Sequence, residues 1–391
     1  MSIEKRVGQQ IDIIERLLGE YDRERGMPLA RFLTGFYKRN RQMGAKDRRT
    51  ISRLVYHYFR IGNAAKQEGT AIRLAIAEFL CSDESTVAQL ILPALYPHIR
   101  AAVAEKIALL EADTTFRIED AFPFGQHLSA GIDHRAFTES LFVQPDLFIR
   151  LRPQHADDVV AALTDAGISY RLLDEYTVAL PNRTALDRIE RIAGKYEIQD
   201  YSSQQTGKYF DASDGESWWD ACAGAGGKSL LLLDKHPGVR LLTSDTRSSV
   251  LRNLDERFEA AGISSYRQKI IDLTKNTATI LGSEQFDGII LDAPCSGSGT
   301  WGRTPEMISS FDRCSIDRFA AFQRQLAEHV IRHLKLGKPL VYITCSVFAE
   351  ENEHVVTYLQ NEHNLHVQHT ELLHGYRHKA DSMFVARLMK V

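Results

Sequence analysis

The chain has 391 residues, 44% of them hydrophobic and 25% charged, with a net charge of −3. At about 150 residues per domain, this describes two or three globular domains rather than a disordered chain. No apolar run approaches the roughly 18 residues of a membrane helix, the start lacks the apolar core of a secretory signal, and five cysteines are too few for a disulfide framework. Reduced thiols in a cytoplasmic protein, with no membrane partner, are therefore expected.

The charge is unevenly placed. Residues 1–66 carry 15 Lys/Arg against 7 Asp/Glu, and the rest carry 33 against 44. A basic N-terminal part on an acidic remainder points to separate duties. In chain order, Val7, Ile11, Ile14, Leu17, Leu18 and Tyr21 recur at helical spacing until Gly26 and Pro28. The run A-K-D-R-R-T-I-S-R-L-V-Y-H-Y-F-R follows, with Ile51, Leu54, Val55 and Tyr58 as its apolar stripe and Arg48, Arg49, Arg53 and Arg60 around it. Two more helical patterns, A-I-R-L-A-I-A-E-F-L and A-A-V-A-E-K-I-A-L-L-E, complete an expected helical bundle.

After about Phe124 the pattern changes. Leu147 to Arg152 reads as a strand, the stretch ending at Gly167 as a helix, and I-S-Y-R-L-L and Y-T-V-A-L-P as two strands, which together form a small α/β module. From about Ser217, strands at S-W-W-D, V-R-L-L-T-S-D, F-D-G-I-I-L-D-A and P-L-V-Y-I-T-C alternate with helical stretches. That order predicts a mostly parallel, doubly wound α/β sheet whose ligands sit at the carboxyl ends of the strands.

The residues at those ends carry the chemistry. D-A-C-A-G-A-G-G-K-S fails the P-loop pattern at Cys222 and the dinucleotide fingerprint at Ser229. It fits D-x-x-x-G-x-G through Asp220, Gly224 and Gly226, the signature of Rossmann-like enzymes that use S-adenosylmethionine. Asp245, at the end of the second strand, suits ribose hydroxyls, and Asp272 suits the adenine amino group. Two cysteines follow two further strands: Cys295 in D-A-P-C-S-G-S-G-T and Cys345 in T-C-S. Zinc is the weaker reading, because there is no C-x-x-C pair and no histidine in either motif, so no metal is expected. A thiol and S-adenosylmethionine together suit methylation at carbon 5 of a pyrimidine. A thiolate adds at carbon 6, a carboxyl group stabilises charge at N3, and a second thiol assists release. Cys345, Asp292 and Cys295 form that set.

These residues resemble the RNA cytosine-5 methyltransferases of the Sun/Nop type, in their bacterial ribosomal-RNA branch. D-A-P-C-S-G-S-G-T-W-G-R-T-P-E looks like the family's fourth motif, and V-Y-I-T-C-S-V-F-A-E-E-N-E like its sixth. I-Q-D-Y-S-S-Q resembles the segment leading into its core, and D-S-M-F-V-A-R-L its last strand. The resemblance implies that Cys345 is the nucleophile and that Cys295 assists release. It implies cofactor contacts from Cys222, Ala223, Gly224, Ala225, Gly226, Gly227 and Lys228, and from Asp245, Asp272 and Asp292. The family's A-A-P-G-G-K-T is here A-G-A-G-G-K-S, with Gly224 and Ala225 replacing alanine and proline, and Ile343 stands where serine is common.

The basic helix is similar to the NusB-like domain of this branch. The resemblance divides the chain into a helical RNA-binding domain at 1–123, a small RRM-like α/β module at 124–213, and a Rossmann-like methyltransferase domain at 214–391. It implies RNA as partner, ribosomal RNA as substrate, and a monomer. A transfer-RNA enzyme and a catalytically silent ribosome assembly factor are the alternatives. Cys81 and Cys314 are expected to be ordinary helix residues.

Overall fold

The computed structural model describes residues 2–24 and 26–391. Among these, no helix is long and apolar enough to cross a membrane. Contacts divide the chain into two compact units. The first comprises the described residues through Gln126, with Asp133–Gln144 and Trp301–Asp312; the second comprises His127–Ile132, Pro145–Thr300 and Arg313–Val391. The helix His134–Leu141 falls in the first unit, and the small α/β module lies within the second.

The first unit is helical. The helix Ile3–Arg23 starts where the Ser2 hydroxyl accepts the Lys5 amide, and it buries Val7, Ile14 and Leu17 one or two turns apart. These join Phe32, Phe36, Leu54 and Val55 from the helices Leu29–Arg39 and Ala45–Arg60. The arginines of Ala45–Arg60 do not form one open basic face. Arg60 is 1% exposed and donates to Leu141 O (2.6 Å) and Gln144 Oε1 (2.7 Å), so it caps the end of the helix His134–Leu141. Arg53 donates to Glu78, a fully buried carboxylate that also binds His57 and Ser85. Arg48 donates to Met43 O. A buried carboxylate and open helix-end carbonyls claim these cations first, which leaves Arg49 exposed.

The second unit holds two sheets. The smaller has strands β1 (Leu147–Leu151), β2 (Arg171–Leu172), β3 (Thr177–Leu180) and β4 (Tyr196–Ile198), in the order β2-β3-β1-β4 and antiparallel throughout. The expected strand I-S-Y-R-L-L shrinks to two residues, and both are exposed. The sheet buries Ile149, Leu151, Val178 and Leu180 against the helix Ala156–Asp165.

The larger sheet has seven strands: β5 (Ser217–Asp220), β6 (Arg240–Asp245), β7 (Arg267–Ile270), β8 (Gly288–Asp292), β9 (Pro339–Thr344), β10 (Leu365–Leu373) and β11 (Met383–Lys390). Their order is β10-β11-β9-β8-β5-β6-β7, parallel from β9 through β7, with β11 antiparallel at β9. Alternation divides the side chains between two cores. Trp219, Leu291 and Tyr342 face the helices Ser315–Ile331 and Glu353–His363; Trp218, Ile290 and Val341 face Gly227–Lys235 and Ser248–Ala260. The doubly wound sheet expected from the sequence is present, and β5 through β9 end on one edge.

Candidate active site

Beyond β5 the chain turns sharply. Ala223 N donates to Ser244 O and Gly226 N to Ala223 O, both at 2.8 Å, which ties the turn to β6. Gly226 has φ +83°, and a Cβ there would lie 2.8 Å from Leu254 and 2.9 Å from Phe258. Only glycine meets both demands. The helix Gly227–Lys235 begins directly after it and leaves its first amides free for an anionic group.

Asp220 is fully buried. The Ser229 hydroxyl donates to its Oδ2 at 2.6 Å, and its Oδ1 has no hydrogen-bond partner among the described residues. Burial pushes this carboxyl up to about 7. Folded protein therefore holds a proton that the unfolded chain has lost between about pH 4 and pH 7, so rising pH costs stability across that window. Asp220→Asn removes this term. Its melting temperature without cofactor should gain several degrees on wild type between about pH 4 and pH 8. Parallel pH curves would show that Asp220 is not so perturbed.

Asp245 ends β6. Its carboxylate receives Arg247 N (2.9 Å), Arg247 Nε (3.1 Å) and Gly224 N (3.2 Å). Burial works against its charge, and the Arg247 hydrogen bonds and charge outweigh burial, holding the carboxyl below its usual range. A ribose accepted here shares the carboxylate with an exposed arginine. Asp272 lies two residues beyond β7. It accepts Thr274 N and Thr274 Oγ1 and pairs with Lys275 at 3.3 Å; the Thr274 hydrogen bonds lead in lowering its carboxyl. Asp292 ends β8. Lys228, 7% exposed, donates to Asp292 Oδ2 (3.0 Å) and to Ser203 Oγ (2.8 Å). Lys228 thus fixes Asp292 and leaves the carboxylate's second oxygen without a protein hydrogen bond among the described residues.

The two motif cysteines meet. Cys295 Sγ lies 3.3 Å from Cys345 Sγ. The hydrogen bond to Cys345 and burial push the Cys295 thiol well up. Gly299 joins the two loops. Its amide donates to Cys345 O (2.9 Å) and its carbonyl accepts Ser382 N (2.9 Å). A Cβ on Gly299 would lie 2.0 Å from Ser382 O and 3.0 Å from Cys345 O.

Cys222 packs against the core, and burial raises its thiol well above its usual value. Ala223, Ala225 and Gly227 contribute through the turn's backbone, Ala225 by its carbonyl to Arg257. Cys314 is not within a helix but caps Ser315–Ile331 and is exposed, whereas Cys81 ends Thr70–Cys81.

Three residues of the site were not assigned from the sequence: Gln323, Glu351 and Asn352, all fully buried. Glu351 and Asn352 stand in the E-E-N-E tail. Gln323 occupies an apolar-face position of its helix among Ile316, Ala320, Leu326 and Val330. A polar residue at such a position is a usable signal.

The donor set suits S-adenosylmethionine. An unpartnered buried carboxylate oxygen on Asp220, a glycine cradle, and carboxylates on Asp245 and Asp292 favour a cationic ligand with a carboxylate tail.

Comparison with known proteins agrees. Residues 208–389 match the family described as 16S rRNA methyltransferase RsmB/F. A ribosomal RNA small subunit methyltransferase B from Klebsiella pneumoniae is 28% identical over 260 residues, covering 63% of this chain and 60% of that protein. Its counterpart in Serratia proteamaculans is 30% identical over 223 residues, covering 56% and 52%. The matched part of this chain thus spans between half and two thirds of these relatives' length. The crystal structure of PH0851 shares the fold over 97% of both chains, with a TM-score of 0.71 at 22% identity.

Proposed function

We propose, because residues 208–389 match the family described as 16S rRNA methyltransferase RsmB/F, that this chain methylates carbon 5 of a cytosine in ribosomal RNA. The observation that carries the reading is the pair of thiols, 3.3 Å apart, on the loops after β8 and β9.

S-adenosylmethionine, when bound, supplies the methyl group as an electrophile. The turn Cys222–Lys228 with Asp220, Asp245 and Asp272 would hold it. Cys345, as thiolate, attacks carbon 6 and makes carbon 5 nucleophilic. Asp292, held by Lys228 on one oxygen, bonds N3 through a proton drawn from solvent as the thiolate adds, which offsets the charge that develops there. Once carbon 5 carries the methyl group, its hydrogen must leave as a proton. Cys295 accepts it while passing its own proton to the departing Cys345 sulfur, and the C5–C6 double bond re-forms.

RNA is the partner, and the first unit offers a place for it. A cleft of about 410 Å³ is lined by Arg6, Gln9, Gln10, Gln42 and Lys46, with Asp47 and Thr50, over Ile13, Met43 and Ile51. Uncommitted cations and amides beside an apolar floor suit phosphate and unpaired bases.

The test is incubation with labelled S-adenosylmethionine and small-subunit ribosomal RNA, followed by nucleoside analysis. The expected product is 5-methylcytosine. Label in transfer RNA alone would move the substrate to that class. No label in either RNA would favour an assembly factor without turnover.

A further inference from the structure

The residues on both sides of each thiol are gripped by buried side chains from the same unit. Gln323 Nε2, from the middle of the helix Ser315–Ile331, donates to Pro294 O and to Glu351 Oε2, each at 3.0 Å. Glu351 Oε2 also accepts Ser296 N (2.8 Å), and its Oε1 accepts the Ser346 hydroxyl (2.7 Å). Asn352 Oδ1 accepts the Thr344 hydroxyl (2.5 Å), and its Nδ2 donates to Ser346 O (3.0 Å). The Tyr342 hydroxyl closes the frame at Gln323 Oε1 (3.1 Å) and Glu351 O (2.7 Å). Residues 294 and 296 flank one thiol, and 344 and 346 flank the other.

This arrangement is costly for stability alone. Gln323 and Glu351 lie fully buried beside an apolar core, where an aliphatic side chain would fill the space without polar atoms to satisfy. A fully bonded polar network instead fixes geometry, because each member over-determines the others. Glu351 bonds to both loops directly, at Ser296 and Ser346, and Gln323 orients its carboxylate.

We infer that Gln323 and Glu351 are positioning residues that set the separation of the Cys295 and Cys345 sulfurs, and through it the rate at which methylated RNA is released. The inference rests on the roles given to the two thiols above. Nucleophilic attack needs only Cys345 against the base, whereas release needs Cys295 within reach of both the base and the Cys345 sulfur. Loosening the frame therefore slows the second event more than the first.

The test compares Gln323→Leu and Glu351→Gln in the full chain with ribosomal RNA. Steady-state kinetics, a denaturing gel for covalent enzyme–RNA, and cofactor binding are read together. Leucine suits the apolar surroundings but removes the hydrogen bonds to Pro294 and Glu351. For Gln323→Leu, kcat should fall between about 10- and 100-fold, with KM for RNA unchanged and a covalent band appearing. Glu351→Gln can still accept from Ser296 and donate to Ser346, and it should stay within about threefold of wild type. Wild-type turnover in Gln323→Leu overturns the inference. So does a loss of kcat in either variant with no covalent band, which would mark a purely structural role. Cys295→Ala and Cys345→Ala run alongside. If Cys295→Ala fails to trap RNA, the assignment of the thiols falls instead of the frame.

Discussion

Cys345→Ala should abolish methyl transfer, by on the order of 10⁴-fold or more, the scale on which removal of a covalent nucleophile acts. The expectation follows from the chemistry of the substrate. Carbon 5 of cytosine is too weak a nucleophile until a group adds at carbon 6, so no neighbouring residue can compensate by binding the base more tightly. Cys295 is the nearest alternative nucleophile at 3.3 Å, but its thiol is pushed well up by the hydrogen bond to Cys345 and by burial, and it stands on the other loop. The variant should fold and bind cofactor as wild type does. Cys345 is only partly buried, and the neighbouring bonds from Thr344, Ser346 and Gly299 do not involve its sulfur. The measurements are incorporation of labelled methyl groups into RNA and calorimetric binding of S-adenosylmethionine. Residual incorporation within about tenfold of wild type would refute the nucleophile. Loss of both properties would make the defect one of folding.

What the sequence reveals depends on how locally each feature is determined. β5, β6, β8 and β9 are short apolar runs bounded by turns, buried on both faces, and they read directly as strands. β10 does not. His366, Gln368, His369 and Thr370 are exposed along this edge strand, and its polar run looks like a loop until β11 pairs with it. The same distinction holds in the site. Cys295 and Cys345 each follow a strand closely, so parallel pairing of β8 with β9 is enough to bring their loops to one edge. Asp292 is legible for the same reason. Gln323 is not, since only the packing of Ser315–Ile331 on the sheet brings it to Pro294 and Glu351. Lys228 lies between these cases. Its motif marks it for the cofactor, yet its ammonium is spent on Asp292 and Ser203. The arginines of Ala45–Arg60 teach the converse. Charge counted along a chain overstates the basic surface wherever a buried carboxylate such as Glu78, or a helix end such as Leu141, takes the cation inside.

Cys295→Ala should leave attack and methylation intact and stop the cycle before release. Without a group to take the proton from carbon 5, the C5–C6 double bond cannot re-form and Cys345 remains bonded to the base. The protein should then turn over about once at most. A band at the combined mass of enzyme and RNA should survive denaturation, and its methyl label should match the enzyme present. The double variant Cys295→Ala/Cys345→Ala must give no such band, which ties the bond to Cys345. Structural damage from the single change should be slight. The loop around position 295 is held by Ser296 N on Glu351 and by Pro294 O on Gln323, and neither contact uses the thiol. Cys295→Ser separates proton transfer from packing. A hydroxyl nearly fills the space but is a far weaker acid than a thiol, so the adduct should still accumulate and decay slowly. If Cys295→Ala instead releases methylated RNA at the wild-type rate, the second thiol has no part in release. Its closeness to Cys345 would then serve only to tune the nucleophile, and the pH profile of the methylation step in the variant would move instead.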